Sequence, residues 1–257
     1  MSPLEQYVAL MTIVIKEIKR FLRIWTQTLL PSAITMSLYF VIFGKLIGSR
    51  IGEMGGFTYM EFVVPGLIMM AIVTNSYSNV VSSFFGSKFN HSVEELLVSP
   101  TPNYIILMGY VIGGVTRGLL VAVVVTIVSL FFTRLHIHSY FVVILIVLLT
   151  STLFALAGFI NAVYANSFDD ISIVPTFVLT PLIYLGGVFY SMDLLPDFWA
   201  GVSKLNPLVY VVNAFRYGVL GVSDVSLPIA LGMIAMFTVL AFSFSMHLLN
   251  SGKGLRQ

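Results

Sequence analysis

The sequence predicts an all-α integral membrane protein. It has six transmembrane helices, an N-terminal amphipathic helix in the interface and a re-entrant helical hairpin before the last span. Three observations carry this prediction. Of the 257 residues only 9% are charged and 58% are hydrophobic, with a mean hydropathy of +0.99. A water-facing surface needs about 25% charged residues, so a soluble domain is excluded. Disorder is excluded as well, because it requires low hydrophobicity and high net charge. The charges also fall in clusters, leaving charge-free runs at 24–44, 62–87, 96–116, 118–133, 135–168, 171–192 and 225–252. Most of these reach the roughly 20 apolar residues that one crossing needs. Finally, none of the runs alternates with period two, which points to helices rather than barrel strands.

The elements follow in order. In the first 23 residues, Leu4, Val8, Met11, Ile15, Ile18 and Leu22 repeat at steps of three and four, with Glu5, Thr12, Lys16, Lys19 and Arg23 on another face. This is the pattern of a basic amphipathic helix that lies along the membrane surface. A signal peptide is not expected, since the basic cluster Lys16, Lys19, Arg20 and Arg23 follows the apolar stretch instead of preceding it. The spans are placed at 27–48, 60–85, 106–133, 140–164, 172–190 and 226–250. Runs 96–116 and 118–133 merge into one helix, because only Arg117 separates them and Pro100 and Pro102 stop helical structure before it. Pro31, Pro65, Pro175 and Pro181 lie inside spans and predict kinks.

Between the second and third spans, 86–104, with 88–100 at its heart, is the longest polar stretch on its side of the membrane. Ser92 with Glu95 has the spacing of a capping box, and Glu94 and Glu95 suit a helix N-terminus. Leu96, Leu97 and Val98 would then project an apolar patch, giving a short helix suited to docking on a cytoplasmic partner. Arg117 is the one charge inside a span, expected about one turn from the cytoplasmic boundary. There it can pair with Asp169 or Asp170 in the loop after the fourth span. Gly109, Gly113, Gly114 and Gly118 are small residues at four-residue spacing and would let helices approach closely. Residues 190–224 are too apolar for a loop in water and too broken to span. They predict two short helices that dip back into the outer side, split at Asn206-Pro207, with Trp199, Tyr210 and Tyr217 at the interface.

Seven basic residues (Lys16, Lys19, Arg20, Arg23, Lys88, Lys253, Arg256) fall on the side of the termini and five (Lys45, Arg50, Arg134, Lys204, Arg216) on the other. With the dense N-terminal cluster this favours both ends being cytoplasmic. A net charge of +2 gives no reason to expect a nucleic acid partner, and with no cysteine there is neither disulfide nor thiolate metal site. There is no HExxH motif. The only phosphate-loop-like stretch, SGKG at 251–254, lacks the upstream glycine and the preceding strand of a Walker motif. No catalytic or metal-binding residue is assigned.

Four stretches together carry a family resemblance: SFDDISIVPTFVLTPLIYLGGVFYSMDLLP (167–196), LNPLVYVVNAFRYGVLG (205–221), EELLVSPTP (94–102) and FLRIWTQTLLPSAITMSLYFVIFG (21–44). The chain resembles the membrane permease subunits of type-2 ABC exporters, above all the bacterial ones, over essentially its whole length. The resemblance implies a single transmembrane domain, 1–257, in the bacterial inner membrane. It would pair with a second permease copy, most simply as a homodimer, and with two ABC ATPase subunits. Residues 3–22, with Lys16, Lys19, Arg20 and Arg23, would be the interfacial helix. Glu94, Glu95, Leu96, Leu97 and Val98 would form the coupling helix that docks on the ATPase. Residues 190–221, with Trp199, Asn206, Pro207, Tyr210 and Arg216, would form the outer re-entrant gate.

The chain itself would be non-catalytic and bind no cofactor, ATP and Mg residing on the ATPase. The cargo would be amphiphilic, lipid-linked, glycan or drug-like, and its binding residues are not assigned. The alternative is an ion-coupled secondary transporter or channel without an ATPase. That reading calls for midplane carboxylates or repeated discontinuous helices, and neither is evident in the sequence.

Overall fold

A computed structural model describes residues 1–252 and 254, the side chains of Lys45, Asp193 and Asp197 apart. Lys253 and Arg256, counted above for orientation, lie outside the described residues. The chain is mostly helical, and its only sheet among the described residues is one hairpin of two short strands.

Helix α1, Pro3–Arg23, opens on a capping box: Glu5 N–H donates to Ser2 Oγ at 3.3 Å and Ser2 N–H to Glu5 Oε2 at 2.8 Å. It closes with Arg20 and Arg23 in its last turn, where cations complement the helix dipole. The backbone breaks at Ile24, and α2, Trp25–Ile51, follows with a π-helical stretch at Phe40–Ile47. Gly52, at φ 79°, ends α2. The hairpin β1 (Glu53–Met54) and β2 (Phe57–Thr58) turns on Gly55 and Gly56, both at positive φ, as a tight two-residue hairpin requires. Thr58 and Glu61 then form a second capping box that starts α3, Tyr59–Phe89.

At 31 residues α3 is about 46 Å long by the helical rise, against about 30 Å of bilayer hydrocarbon. Most of its apolar stretch is buried, and it forms the centre of the molecule, packing against α5 (Asn103–Leu130) and α6 (Tyr140–Tyr164). Between α3 and α5 stands the short helix α4, Ser92–Val98. After α6 come α7 (Asp170–Tyr184), α8 (Asp197–Ser203), α9 (Pro207–Leu220) and α10 (Leu227–Ser251).

Five helices among the described residues are long and apolar enough to cross a membrane: α2, α3, α5, α6 and α10. The fifth of the six expected spans, 172–190, corresponds to α7, which is fifteen residues long with a π-helical segment at Pro175–Leu179. A proline removes a backbone donor and pushes the preceding turns off the regular ladder. Pro175 and Pro181 act in this way here, whereas α3 runs through Pro65 unbroken. Helices α2 and α10 bury little of their apolar surface within the chain.

The small residues of α5 are used inside the chain. A Cβ on Gly109 would meet Ile13, and one on Gly113 would lie 2.7 Å from Glu17 Cβ. Both glycines therefore seat α1 directly against the α5 backbone. Gly114 and Gly118 face Val80 and Ala155, and Ser76 and Ser151. Close approach of α1, α3 and α6 to α5 accounts for all four glycines.

Candidate functional site

Three regions hold the polar and strained features that a membrane helix bundle does not need for packing alone. The first is α4. Its expected capping box is absent. His91 takes the N-cap position at φ 59° with no side-chain cap bond, and Ser92 Oγ donates instead to Ser87 O at 3.1 Å. Two demands compete for the Ser92 hydroxyl, and the end of α3 wins. Val93 is buried and pins α4 to the bundle, while Glu94 and Glu95 are exposed. His91 Nδ1 and Glu94 Oε1 are 3.2 Å apart. Of the expected apolar patch only Val98 is strongly exposed, at 88%, and Leu96 and Leu97 pack partly against the core. The result is a short rigid platform with an acidic start and one protruding valine, carried on the end of the longest helix.

The second region joins α1 to α3 and α5. Asn75, Asn79, Ser83 and Ser87 recur every four residues along α3 and so share one face. Each meets a polar partner. Ser87 Oγ accepts from Tyr110 OH at 3.1 Å, and Tyr110 OH accepts from Lys16 Nζ at 3.4 Å. Ser83 Oγ donates to Glu17 Oε1 at 2.7 Å. Arg20 Nη2 donates to Asn79 O at 2.9 Å and Asn79 Oδ1 at 2.8 Å. Arg117 Nη2 donates to Asn75 Oδ1 at 2.9 Å and Thr28 O at 3.5 Å. Glu17 is fully buried, with Arg20 Nε at 3.4 Å and Lys16 Nζ at 3.7 Å from its carboxylate. A buried charge persists only when paired and hydrogen-bonded, and Glu17 has both kinds of partner.

This region corrects one sequence expectation. Arg117 does not pair with Asp169 or Asp170. Asp170 Oδ2 accepts from Asn166 N–H at 2.8 Å and Ser167 N–H at 3.0 Å and so closes its own loop. Arg117 lies midway along α5, fourteen residues from its start and one turn beyond Gly113. Its partners are a neutral amide and a carbonyl, which cost less to bury than a carboxylate. Lys16 and Arg20 take part in the network, while Lys19 and Arg23 stay exposed. Sequence reasoning missed Glu17 and the α3 stripe, although the four-residue polar repeat inside an apolar run was a readable signal.

The third region lies at the other end of α3. Helices α8 and α9 meet at Asn206-Pro207, the predicted split. Asn206 Oδ1 accepts from Leu208 N–H at 3.0 Å as an N-cap. Its Nδ2 donates to Leu182 O at 2.7 Å, tying α9 to α7. Arg216 is fully buried, donates through Nη2 to Gly187 O at 2.6 Å and sits 3.8 Å from the Phe62 ring centroid. Tyr59 OH donates to Phe189 O at 3.1 Å. Asp224 accepts from Ser191 Oγ at 2.9 Å and Met192 N–H at 2.7 Å. The segment leaving α7 is thus held by side chains from α3, α9 and the loop after α9. Tyr210 OH donates to Lys204 O at 2.6 Å, closing the α8–α9 corner, and Trp199 is exposed on α8.

Between α6, α7, α9 and α10 lies an apolar cavity of about 420 Å³, lined by Tyr77, Phe154, Val178, Leu182, Pro207 and Phe244 among others. Among the described residues no three His, Asp or Glu side chains converge where they could hold a metal ion.

Comparison with known proteins adds three findings. The family described as ABC-2 type transporter matches residues 8–220. The inner membrane transport permease YadH of Escherichia coli strain K12 is 58% identical over 250 residues, covering 97% of this chain and 98% of that protein. Nodulation protein J is more distant. It is 24% identical in Neorhizobium galegae over 82% of this chain and 81% of its own length, and 22% identical in Rhizobium meliloti over the same shares.

Proposed function

This chain belongs to the ABC-2 type transporter family, and from that premise we propose that it is driven by a separate ABC ATPase docked on α4. Membership makes it a non-catalytic transport permease of a multi-pass membrane kind. The observation that carries the docking proposal is the shape of α4. The helix is anchored by buried Val93, exposes Glu94, Glu95 and Val98, and follows the end of α3 after a two-residue turn at Asn90 and His91. A force applied there reaches the centre of the bundle without crossing a flexible linker.

In this reading both termini are cytoplasmic, α1 lies in the cytoplasmic interface and α7 is a short sixth span. Helices α8 and α9 dip into the outer side as a gate. The weakly buried faces of α2 and α10 suit lipid or a second permease copy, and a homodimer is the simplest assembly. ATP and Mg belong to the ATPase. Binding of ATP there would favour one of two arrangements of the bundle, and cargo moves outward because the two arrangements bind it differently. The cargo class that fits is amphiphilic, since the cavity between α6, α7, α9 and α10 is nearly all apolar with one tyrosine at its wall.

The ion-coupled alternative gains nothing from Glu17, the one carboxylate buried among the described residues. Glu17 is held by two cations and a serine, the surroundings of a structural anion rather than of a proton carrier.

The test is the double substitution Glu94→Lys with Glu95→Lys in the chain co-expressed with its ATPase. The proposal expects a folded permease whose ATPase no longer associates, or hydrolyses ATP without transport. Normal association and coupling would remove α4 from the mechanism.

A further inference from the structure

Helix α1 has three faces, and one of them has an excess of positive charge. Ile13, Val14, Glu17 and Phe21 are buried against the protein. Leu4, Val8, Ile15 and Leu22 form an exposed apolar stripe. Lys16, Lys19, Arg20 and Arg23, spaced at three, four and seven residues, share a third face. Of these four cations Arg20 and Lys16 meet Glu17, and Glu17 is already shared between them and Ser83. Lys19 and Arg23 have no acid partner among the described residues. One turn further along the α3 stripe, Arg117 of α5 brings another guanidinium to Asn75, which supplies no charge. The cluster holds Lys16, Arg20 and Arg117 against one carboxylate. Side-chain exposures of 52% for Lys16 and 25% for Arg20 leave the cluster open on the Lys19 side.

An uncompensated cationic cluster beside an exposed apolar stripe lacks two things: an anion and an apolar neighbour. An acidic phospholipid supplies both in one molecule, a phosphate for the cations and acyl chains for Leu4, Val8, Ile15 and Leu22. We propose that the polar face of α1 is a binding site for the headgroup of acidic phospholipids, with Lys19 and Arg23 as its outer ligands and Lys16 and Arg20 behind them. The site rests on α1 lying against a bilayer, and it holds whether or not the chain exports anything. Each basic residue at an anionic membrane surface is worth about a five-fold preference.

The protein carries its own reporter. It has two tryptophans, Trp25 and Trp199. Trp25 is exposed two residues beyond Arg23, and Trp199 lies on α8 in the region at the opposite end of α3. The Trp199→Phe variant of the full chain is reconstituted in phosphatidylcholine vesicles. These contain an equal low fraction of either brominated phosphatidylglycerol or brominated phosphatidylcholine, and Trp25 fluorescence is recorded. The site predicts stronger quenching by the brominated phosphatidylglycerol. The difference should shrink in high salt and collapse in the Lys19→Gln, Arg23→Gln double variant, whose native side chains are exposed and form no ion pair among the described residues. Equal quenching by the two lipids overturns the proposal and leaves the cations to an acidic protein surface. A difference that survives the double variant overturns it too, because the lipid is then drawn elsewhere.

Discussion

Glu17→Gln is the perturbation that bears most directly on how α1 is joined to the bundle. The carboxylate is fully buried, 3.4 Å from Arg20 Nε and 3.7 Å from Lys16 Nζ, and it accepts from Ser83 at 2.7 Å. At an effective dielectric of about 20, a unit pair at that separation is worth on the order of 5 kcal/mol before desolvation. Lys16 is half-exposed and its share is screened to about 0–1 kcal/mol. Arg20 is one-quarter exposed and also donates to Asn79, so it keeps partners after the change. Glutamine retains an acceptor for Ser83.

The net cost therefore falls below the 3–5 kcal/mol of a wholly buried broken pair, at about 2–3 kcal/mol. At roughly 2–4 °C per kcal/mol the melting temperature of the purified protein should drop by about 5–10 °C. Arg20→Gln should cost as much and Lys16→Gln under about 1 kcal/mol. A Glu17→Gln protein that melts with the wild type, or a Lys16 change that costs more than the Arg20 change, would refute the reasoning.

Three further outcomes follow from the same geometry. Gly113→Ala places a Cβ 2.7 Å from Glu17 Cβ and should destabilise by about 1–3 kcal/mol, read as loss of protease resistance of α1. Arg117 and Asn75 should show a coupling energy of about 1–2 kcal/mol in a double-mutant cycle of thermal stability, while reversing charges at Arg117 and Asp170 together should rescue nothing. Asn206→Ala removes both the α9 cap and the bond to Leu182 O and should cost about 1–2 kcal/mol. That loss would appear as faster amide exchange at the start of α9.

Much of the bundle was legible because a charge inside a bilayer is expensive, so charges mark helix ends. That logic located the starts or ends of α3, α6 and α10 to within a few residues. The amphipathic α1 and the split at Asn206-Pro207 were readable from periodicity and from the one residue pair that both breaks and caps. The polar interior was not legible, because its partners are neutral. Sequence logic seeks a carboxylate for Arg117, whereas buried space favours an amide oxygen already ordered by its own helix, as Asn75 is by Ala71 O. Glu17 went unassigned because its position falls on neither the apolar nor the basic stripe of α1. That is the signature of a residue facing the protein. Ser92 failed as a cap because the turn leaving α3 claims its hydroxyl, a competition that no local pattern reveals.

The proposal is a division of labour, in which this chain would form the path and a separate ATPase, docked at α4, would supply the energy. The measurement that tests it most directly is ATP hydrolysis and association in vesicles holding the chain and a co-expressed ABC ATPase, with and without Glu94→Lys and Glu95→Lys. The account predicts a stable complex whose hydrolysis rate depends on the permease, and loss of that dependence in the double variant. A chain that never associates with an ATPase, or whose α4 charges can be reversed without effect on the complex, would contradict it.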